Sequence, residues 1–309
     1  MLKTIFMGTP PLVMPAVRAL YKNSNLSLIV TGKDKPFGRG RKDFIIPEPK
    51  QFAIENNIEY LQIDNVKDGV LLKKMESIRP DMAVVFAFGF ILPENVFMLP
   101  EHGTVNIHTS LLPKYRGASP IHQALLHQDK ITGVTIQKIT EKLDCGDILF
   151  TKSVEILEND DYLTLEARLS ALSGEALIEF LEKYQRGEII PRSQYDEEAS
   201  YCKKILKEHG EFHWSENKEE IVAKVKAYRE WPVAYIKTRF GNLRVYKAGI
   251  LDKPCDAAPG TVMSADKTGF CVACSNGAVC LYEIQPENKK QMDYMSFLNG
   301  HRIKSGETL

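Results

Sequence analysis

Strand and helix patterns alternate through the first half of this chain and give way to runs of short strands in the second. Together these predict an α/β protein: a Rossmann-like, doubly wound, mostly parallel sheet followed by an OB-like small β-barrel domain. At 309 residues the chain is long for one core, so two domains are expected. No apolar run approaches the ~20 residues of a membrane span.

The first half justifies itself element by element. Strands are predicted near residues 3–7, 26–31, 81–87 and 103–108, with helices near 12–22, 48–56, 66–77 and 118–127. Near 133–139 and 147–155 two more strands flank a tight turn that holds Asp144 and Gly146. A long amphipathic helix over about 163–185 carries Leu165, Leu169, Leu172, Leu177 and Leu181 on one side. The first domain is expected to span 1–188, and 189–207, charged and without periodicity, reads as a linker.

In the second domain, 208–309, a helix near 216–228 precedes strands at about 233–239, 243–250, 259–263, 270–274 and 278–284. Gly241-Asn242, Asp266-Lys267 and Asn276-Gly277 punctuate them. Five short strands and a helix are the basis for the OB-like expectation.

Composition excludes several classes. Hydrophobic residues at 44% and charged residues at 26% fit a globular protein, and the net charge of zero argues against a generally basic nucleic-acid binder. Leu2 to Met7 reads directly as a first strand rather than a targeting segment, so a cytoplasmic enzyme is expected. Met7-Gly8-Thr9-Pro10 lacks the three glycines of a dinucleotide turn, which excludes a nicotinamide cofactor. Cys271 and Cys274 form a lone CxxC on a predicted strand, where residues three apart face opposite ways. The six cysteines are therefore expected to be reduced structural thiols, and no cluster has metal-ligand spacing.

One stretch carries chemistry. Thr104, Asn106 and His108 alternate with apolar residues and share one face of a strand, although a strand inside a parallel sheet should be apolar on both faces. Ligands of open α/β sheets bind at the carboxyl ends of strands, where His108 falls. Ser110-Leu111-Leu112-Pro113-Lys114-Tyr115-Arg116-Gly117 follows, and then Leu143-Asp144-Cys145-Gly146-Asp147.

These residues resemble the 10-formyltetrahydrofolate-dependent formyltransferases, whose signature is Asn-x-His-x-Ser-Leu-Leu-Pro with an Asp some 35 residues on. The resemblance implies acyl transfer with Asn106 as oxyanion donor, His108 as a second donor and Asp144 as the acceptor of the amine proton. It also implies folate contacts at Phe88 and Gly89, with Phe90, Ile91 and Leu92 beside them. Further folate contacts are implied at Ser110, Leu111, Leu112 and Pro113, with the 139–144 turn closing the far side. 10-Formyltetrahydrofolate is then the co-substrate, and no metal is required.

Charge points to the acceptor. Thr31 to Lys42 holds Lys33, Lys35, Arg39, Arg41 and Lys42 against Asp34, in a glycine-rich loop expected to be mobile at the carboxyl edge of the sheet. From Ile221 to Ile250 seven Lys or Arg oppose one Glu, a net of +6. The loop matches the family's Gly-Arg-Gly basic loop, the start Met-Gly-Thr-Pro matches its tRNA-acting branch, and the resemblance spans nearly the whole chain. The expected acceptor is initiator methionyl-tRNA, with Lys33, Lys35, Arg39, Arg41 and Lys42 on the tRNA, no membrane partner and a monomeric chain. A nucleotide-linked amino sugar is the alternative acceptor.

Overall fold

The computed structural model describes residues 1–37 and 43–309. They gather into two compact units, the first of Met1–Pro120, Ile131–Glu155 and Glu166–Cys202, the second of Ile121–Lys130, Ile156–Leu165 and Lys203–Leu309. This differs from a division at 188 followed by a linker to 207. The segment after residue 188 stays with the first unit to Cys202, held by a short parallel pairing of Tyr201–Cys202 with Arg116–Gly117.

The first unit opens with β1 (Lys3–Met7), α1 (Met14–Asn23), β2 (Asn25–Gly32), β3 (Lys35–Phe37), β4 (Asp43–Ile45), α2 (Glu48–Glu55), β5 (Glu59–Ile63) and α3 (Val70–Ile78). Next come β6 (Met82–Phe86), α4 (Glu94–Phe97), β7 (Thr104–His108), β8 (Arg116–Gly117) and α5 (Pro120–Leu126), the last belonging largely to the second unit. β9 (Ile131–Lys138), β10 (Ile148–Glu155), α6 (Tyr162–Gln185) and β11 (Tyr201–Cys202) complete it.

Seven strands form the central sheet in the order β10-β9-β7-β6-β1-β2-β5. β1, β2, β5, β6 and β7 are parallel, while β9 runs antiparallel to β7 and β10 antiparallel to β9. β6 is buried at every position, as a central parallel strand must be. The unpredicted β5 is an edge strand whose residues are mostly in contact with solvent, so it lacks an apolar run. The five leucines expected along one side of α6, Leu165, Leu169, Leu172, Leu177 and Leu181, are all buried.

After β1 the chain adds β2 and β5 on one side, then returns to place β6 on the other. The strand order therefore reverses between β1 and β6, the position where open α/β sheets leave a ligand crevice. Gly8 lies at this point. A Cβ there would meet the Phe86 carbonyl at 2.4 Å, so the glycine serves close packing of β1 on β6.

In the second unit α7 (Lys218–Ala227) packs on β13 (Gly241–Leu251) and β16 (Gly277–Gln285). With β12 (Ala234–Thr238), β14 (Val262–Asp266) and β15 (Gly269–Cys274) these strands run antiparallel in the order β12-β13-β16-β15-β14. β17 (Met292–Asp293) pairs with β16 and leads into α8 (Tyr294–Gly300), which was not predicted. Among the described residues β12 and β14 do not pair, which gives the partly open barrel of an OB-like domain. Phe212, Trp214, Ile221, Val245, Phe270, Leu281 and Phe297 fill its core. Cys271 and Cys280 are register partners on β15 and β16 and form a disulfide, contrary to the expectation of reduced thiols there. The sequence pattern drew attention to Cys274, but strand pairing selects Cys280.

Candidate active site

β7 delivers Asn106 and His108 to one face at its carboxyl end, and the turn between β9 and β10 brings Asp144 to them. Asp144 has φ of 53°, a left-handed conformation that aspartate tolerates better than most side chains. Two residues on, a Cβ on Gly146 would lie 1.9 Å from the Lys138 carbonyl, so only glycine lets the turn close this tightly.

The Asp144 carboxylate, only 7% exposed, is held from several sides. Oδ1 accepts from Gln137 Nε2 at 2.8 Å and from Asn106 Nδ2 at 3.3 Å; Oδ2 accepts from the Gly117 backbone N–H at 2.8 Å. His108 Nδ1 lies 3.7 Å from Oδ2, and Nε2 is 2.8 Å from the Tyr115 carbonyl. A carbonyl only accepts, so that bond assigns the proton to Nε2 and leaves Nδ1 facing Asp144 as the nitrogen that can exchange one. The same carbonyl accepts from the Cys202 thiol at 3.3 Å, and burial pushes that thiol's pKa up, keeping it a donor.

Gln137, Gly117 and Tyr115 were not anticipated as part of the site. Gln137 had a detectable signal: it is a polar residue near the end of the strand expected over 133–139, seven residues before Asp144, and the structure makes it the register partner of Asn106. Gly117 has φ of 121°, and a Cβ there would come 2.2 Å from the Cys202 carbonyl, so the glycine lets its N–H reach Asp144.

Three cavities open along this edge of the sheet. One of about 130 Å³ is walled by Val85, Phe90, Ile91, Leu92, Asn106 and the 137–144 segment. A second of about 490 Å³ shares Asn106 and Asp144 and adds Ala87, Phe88, Gly89, His108 and Gly117. The third, about 760 Å³, lies at the strand-order reversal and shares Ala87 to Phe90 with the second. Its other walls include Thr9, Pro10, Pro11, Lys33, Lys35, Ile45 and Ile46.

The structure thus brings Phe88 and Gly89 together with Asn106, His108 and Asp144. It does not bring Ser110, Leu111, Leu112 or Pro113 to any of these three cavities. Ser110 Oγ donates to the Lys114 carbonyl, and Thr135 Oγ1 bonds both the Ser110 carbonyl and the Leu112 N–H. This segment braces the strand end, because its polar groups are used within its own turn and on Thr135 of β9.

Lys33 and Lys35 are exposed at the third cavity. Arg39, Arg41 and Lys42 lie outside the described residues. Within the loop expected to be mobile, Lys35–Phe37 forms β3, which pairs antiparallel with β4 just beyond it. In the second unit, Lys207, Tyr235, Lys237, Asn242, Arg244, Gln285 and Lys289 line a polar cavity of about 420 Å³.

Residues 2–181 match the family model described as formyl transferase, and residues 204–302 match that of the formyl transferase C-terminal domain. A methionyl-tRNA formyltransferase of Thermodesulfovibrio yellowstonii is 38% identical, over 98% of this chain and 97% of its own. One of Bacillus subtilis is 36% identical, over 100% of this chain and 98% of its own. Among solved structures, WlaRD, a sugar 3N-formyl transferase in the presence of dTDP and 5-N-formyl-THF, superimposes with a TM-score of 0.69 at 18% identity. That match covers 94% of this chain and 99% of WlaRD, and it shows a shared fold. On sequence matches that span both units, the chain belongs to the methionyl-tRNA formyltransferase family.

Proposed function

We propose that this chain transfers the formyl group of 10-formyltetrahydrofolate to the free α-amino group of initiator methionyl-tRNA, as a cytoplasmic monomer. The observation that carries the reading is the convergence of Asn106, His108 and Asp144 where all three can meet one reacting carbon. An α-amino group has a pKa near ~8, so at neutral pH a useful fraction is already neutral and nucleophilic. Its nitrogen attacks the formyl carbon, and the carbonyl electron pair moves onto oxygen. Asn106 has two amide hydrogens; one serves Asp144 and the second stabilises the oxyanion. As the new N–C bond forms, the amine proton passes to Asp144 directly or through a water. The oxyanion then collapses, the bond from carbon to folate N10 breaks, and N10 takes a proton from the same His108–Asp144 pair.

In this reading the pterin ring enters the 130 Å³ cavity, where apolar side chains face it and the backbone of 139–144 offers hydrogen bonds. Phe88 and Gly89 flank the reacting carbon, and Ser110 to Pro113 hold the strand end beneath it. The apolar 760 Å³ cavity suits the methionyl end of the acceptor, with Lys33 and Lys35 at its rim for phosphates. Arg39, Arg41 and Lys42 extend that contact, and the second unit adds Lys207, Lys237, Arg244 and Lys289.

The test is incubation with 10-formyltetrahydrofolate labelled in its formyl group and, separately, methionyl-tRNA, glycinamide ribonucleotide and a nucleotide-linked amino sugar. Label is expected on the tRNA. Label on the amino sugar alone would overturn the acceptor assignment while leaving the chemistry intact.

A further inference from the structure

The segment from Arg192 to Tyr201 follows α6 without any periodic pattern, yet it returns to the turn that presents Asp144. Arg192 and Ile148 exchange two backbone hydrogen bonds, at 2.8 and 2.9 Å, and Ser193 Oγ donates to Asp147 Oδ1 at 2.9 Å. Gln194 Nε2 lies within hydrogen-bond distance of three oxygens: the Gly146 carbonyl at 2.7 Å, the Asp144 carbonyl at 3.0 Å and Gln137 Oε1 at 3.1 Å. Gln137 in turn donates to Asp144 Oδ1. One amide therefore secures Asp144 at both its backbone and, through Gln137, its carboxylate.

What fixes the Gln194 amide is equally defined. Its Oε1 accepts from Arg116 Nε at 2.9 Å, and an amide whose oxygen is claimed this way must turn its NH₂ toward the three oxygens. Arg116 is 1% exposed and is anchored by Asp196 Oδ1 at 2.7 Å and the Tyr201 hydroxyl at 3.0 Å. An unbroken line of hydrogen bonds thus runs from Arg116 through Gln194 and Gln137 to the carboxylate.

We propose that Gln194 is a positioning residue for formyl transfer: its amide holds the Asp144 turn so that the carboxylate meets the reacting amine, and Arg116 sets the direction of that amide. The proposal rests on the formyl-transfer reading above. A group displaced by about 1 Å from its productive position typically costs about 10²-fold in rate.

Full-length Gln194→Glu and Gln194→Met are the variants to compare. Glutamate keeps the shape and the acceptor for Arg116 but sets oxygen against oxygen; methionine fills the space with neither donor nor acceptor. Both are expected to fold, by circular dichroism, and to keep wild-type KM values for folate and tRNA while kcat falls about 10²-fold. Because Gln137 lies on the same line, Gln137→Ala combined with Gln194→Met should cost less than the sum of the two. A Gln194→Glu enzyme with near-wild-type kcat would overturn the proposal, since a residue needed only for packing tolerates that change. Should the glutamate variant not fold, the methionine variant carries the same reading. Wild-type protein inactive toward every acceptor would overturn the formyl-transfer reading instead. The crystal structure of Gln194→Met then decides the brace separately: a carboxylate withdrawn from the Gly117 N–H supports it, and an unmoved one overturns it.

Discussion

The turn around Asp144 and the basic stretch of the second unit are both polar, but they are organised in opposite ways. At the turn, the groups that hold the carboxylate are buried or half-buried and aligned by strand register. In the second unit the window with a net of +6 is far less positive in space. Lys224 pairs with Glu216 at 2.7 Å, Arg229 with Glu283 at 3.3 Å and Asp161 at 3.4 Å, and Lys237 with Glu211 at 2.8 Å; Arg239 pairs with Glu307 at 2.5 Å. All of those carboxylates lie outside the window. Counting charge along a chain therefore overstates a field that is set by neighbours within a Debye length of about 8–10 Å. Exposed pairs of this kind are each worth only about 0–1 kcal/mol, so they are also readily exchanged for phosphates.

The sharpest way to break the comparison is to remove the organised side. Asn106→Ala, His108→Ala and Asp144→Ala should each lower kcat by about 10²–10⁴-fold while the fold survives. Because they act on one developing charge, double variants should fall well short of the product of the singles. Single-turnover rates decide this; a variant keeping most of its activity has been given the wrong role.

The loop comes next in size. Arg39→Ala is expected to cost about 1–3 kcal/mol in kcat/KM with initiator methionyl-tRNA and to narrow discrimination against elongator methionyl-tRNA, whereas Lys33→Ala should weaken both alike. Formylation kinetics of both tRNAs separate the two outcomes. Unchanged discrimination in Arg39→Ala would reduce the loop to general attraction.

A third experiment tests a half-buried group of the second unit. Burial pulls the His122 pKa down to about 4 from 6.5, against a backbone bond near Trp231 that raises it. The ring lies 4.3 Å from that of Tyr162. The unfolded chain binds the proton first, so the neutral ring contributes fully above pH 6.5 and its contribution is lost as pH falls toward 4. Between pH 7 and pH 5 this amounts to about 2 kcal/mol. Unfolding free energies from urea titrations at both pH values should fall by about 2 kcal/mol more from pH 7 to pH 5 in wild type than in His122→Phe; an equal fall would mean the ring is already protonable in the fold.

The smallest effect is the one that sharpens the view of the diffuse side. Replacing Lys207, Lys237 and Arg244 together by alanine should lower the slope of log affinity for tRNA against log salt by about 3. A wild-type slope would remove this cavity from the tRNA path.

The sheet, the long helix and the convergence of Asn106, His108 and Asp144 were legible because each rests on a short repeat or a fixed spacing. Thr104 to His108 alternates, the α6 leucines recur at helical intervals, and the glycine two after Asp144 marks the turn. β5 was missed because an edge strand is under little pressure to be apolar. The role of residues 189–202 was not legible for a different reason. Gln194 meets Asp144 and Gln137 from 50 and 57 positions away, and a side-chain amide bonding to carbonyls leaves no local pattern. The Cys271–Cys280 pairing likewise depends on register between strands rather than on the CxxC spacing.

The alternation of chain segments between the two units bears on how the protein is made. Ile121–Lys130 and Ile156–Leu165 leave the ribosome before the first unit has its last segment, yet they belong with a body whose remaining part starts at Lys203. During synthesis those twenty residues must wait for the rest of their own unit until most of the C-terminal strands have emerged. A graft that exchanges the C-terminal portion with a relative at a single junction would leave them behind, facing a surface they did not evolve with.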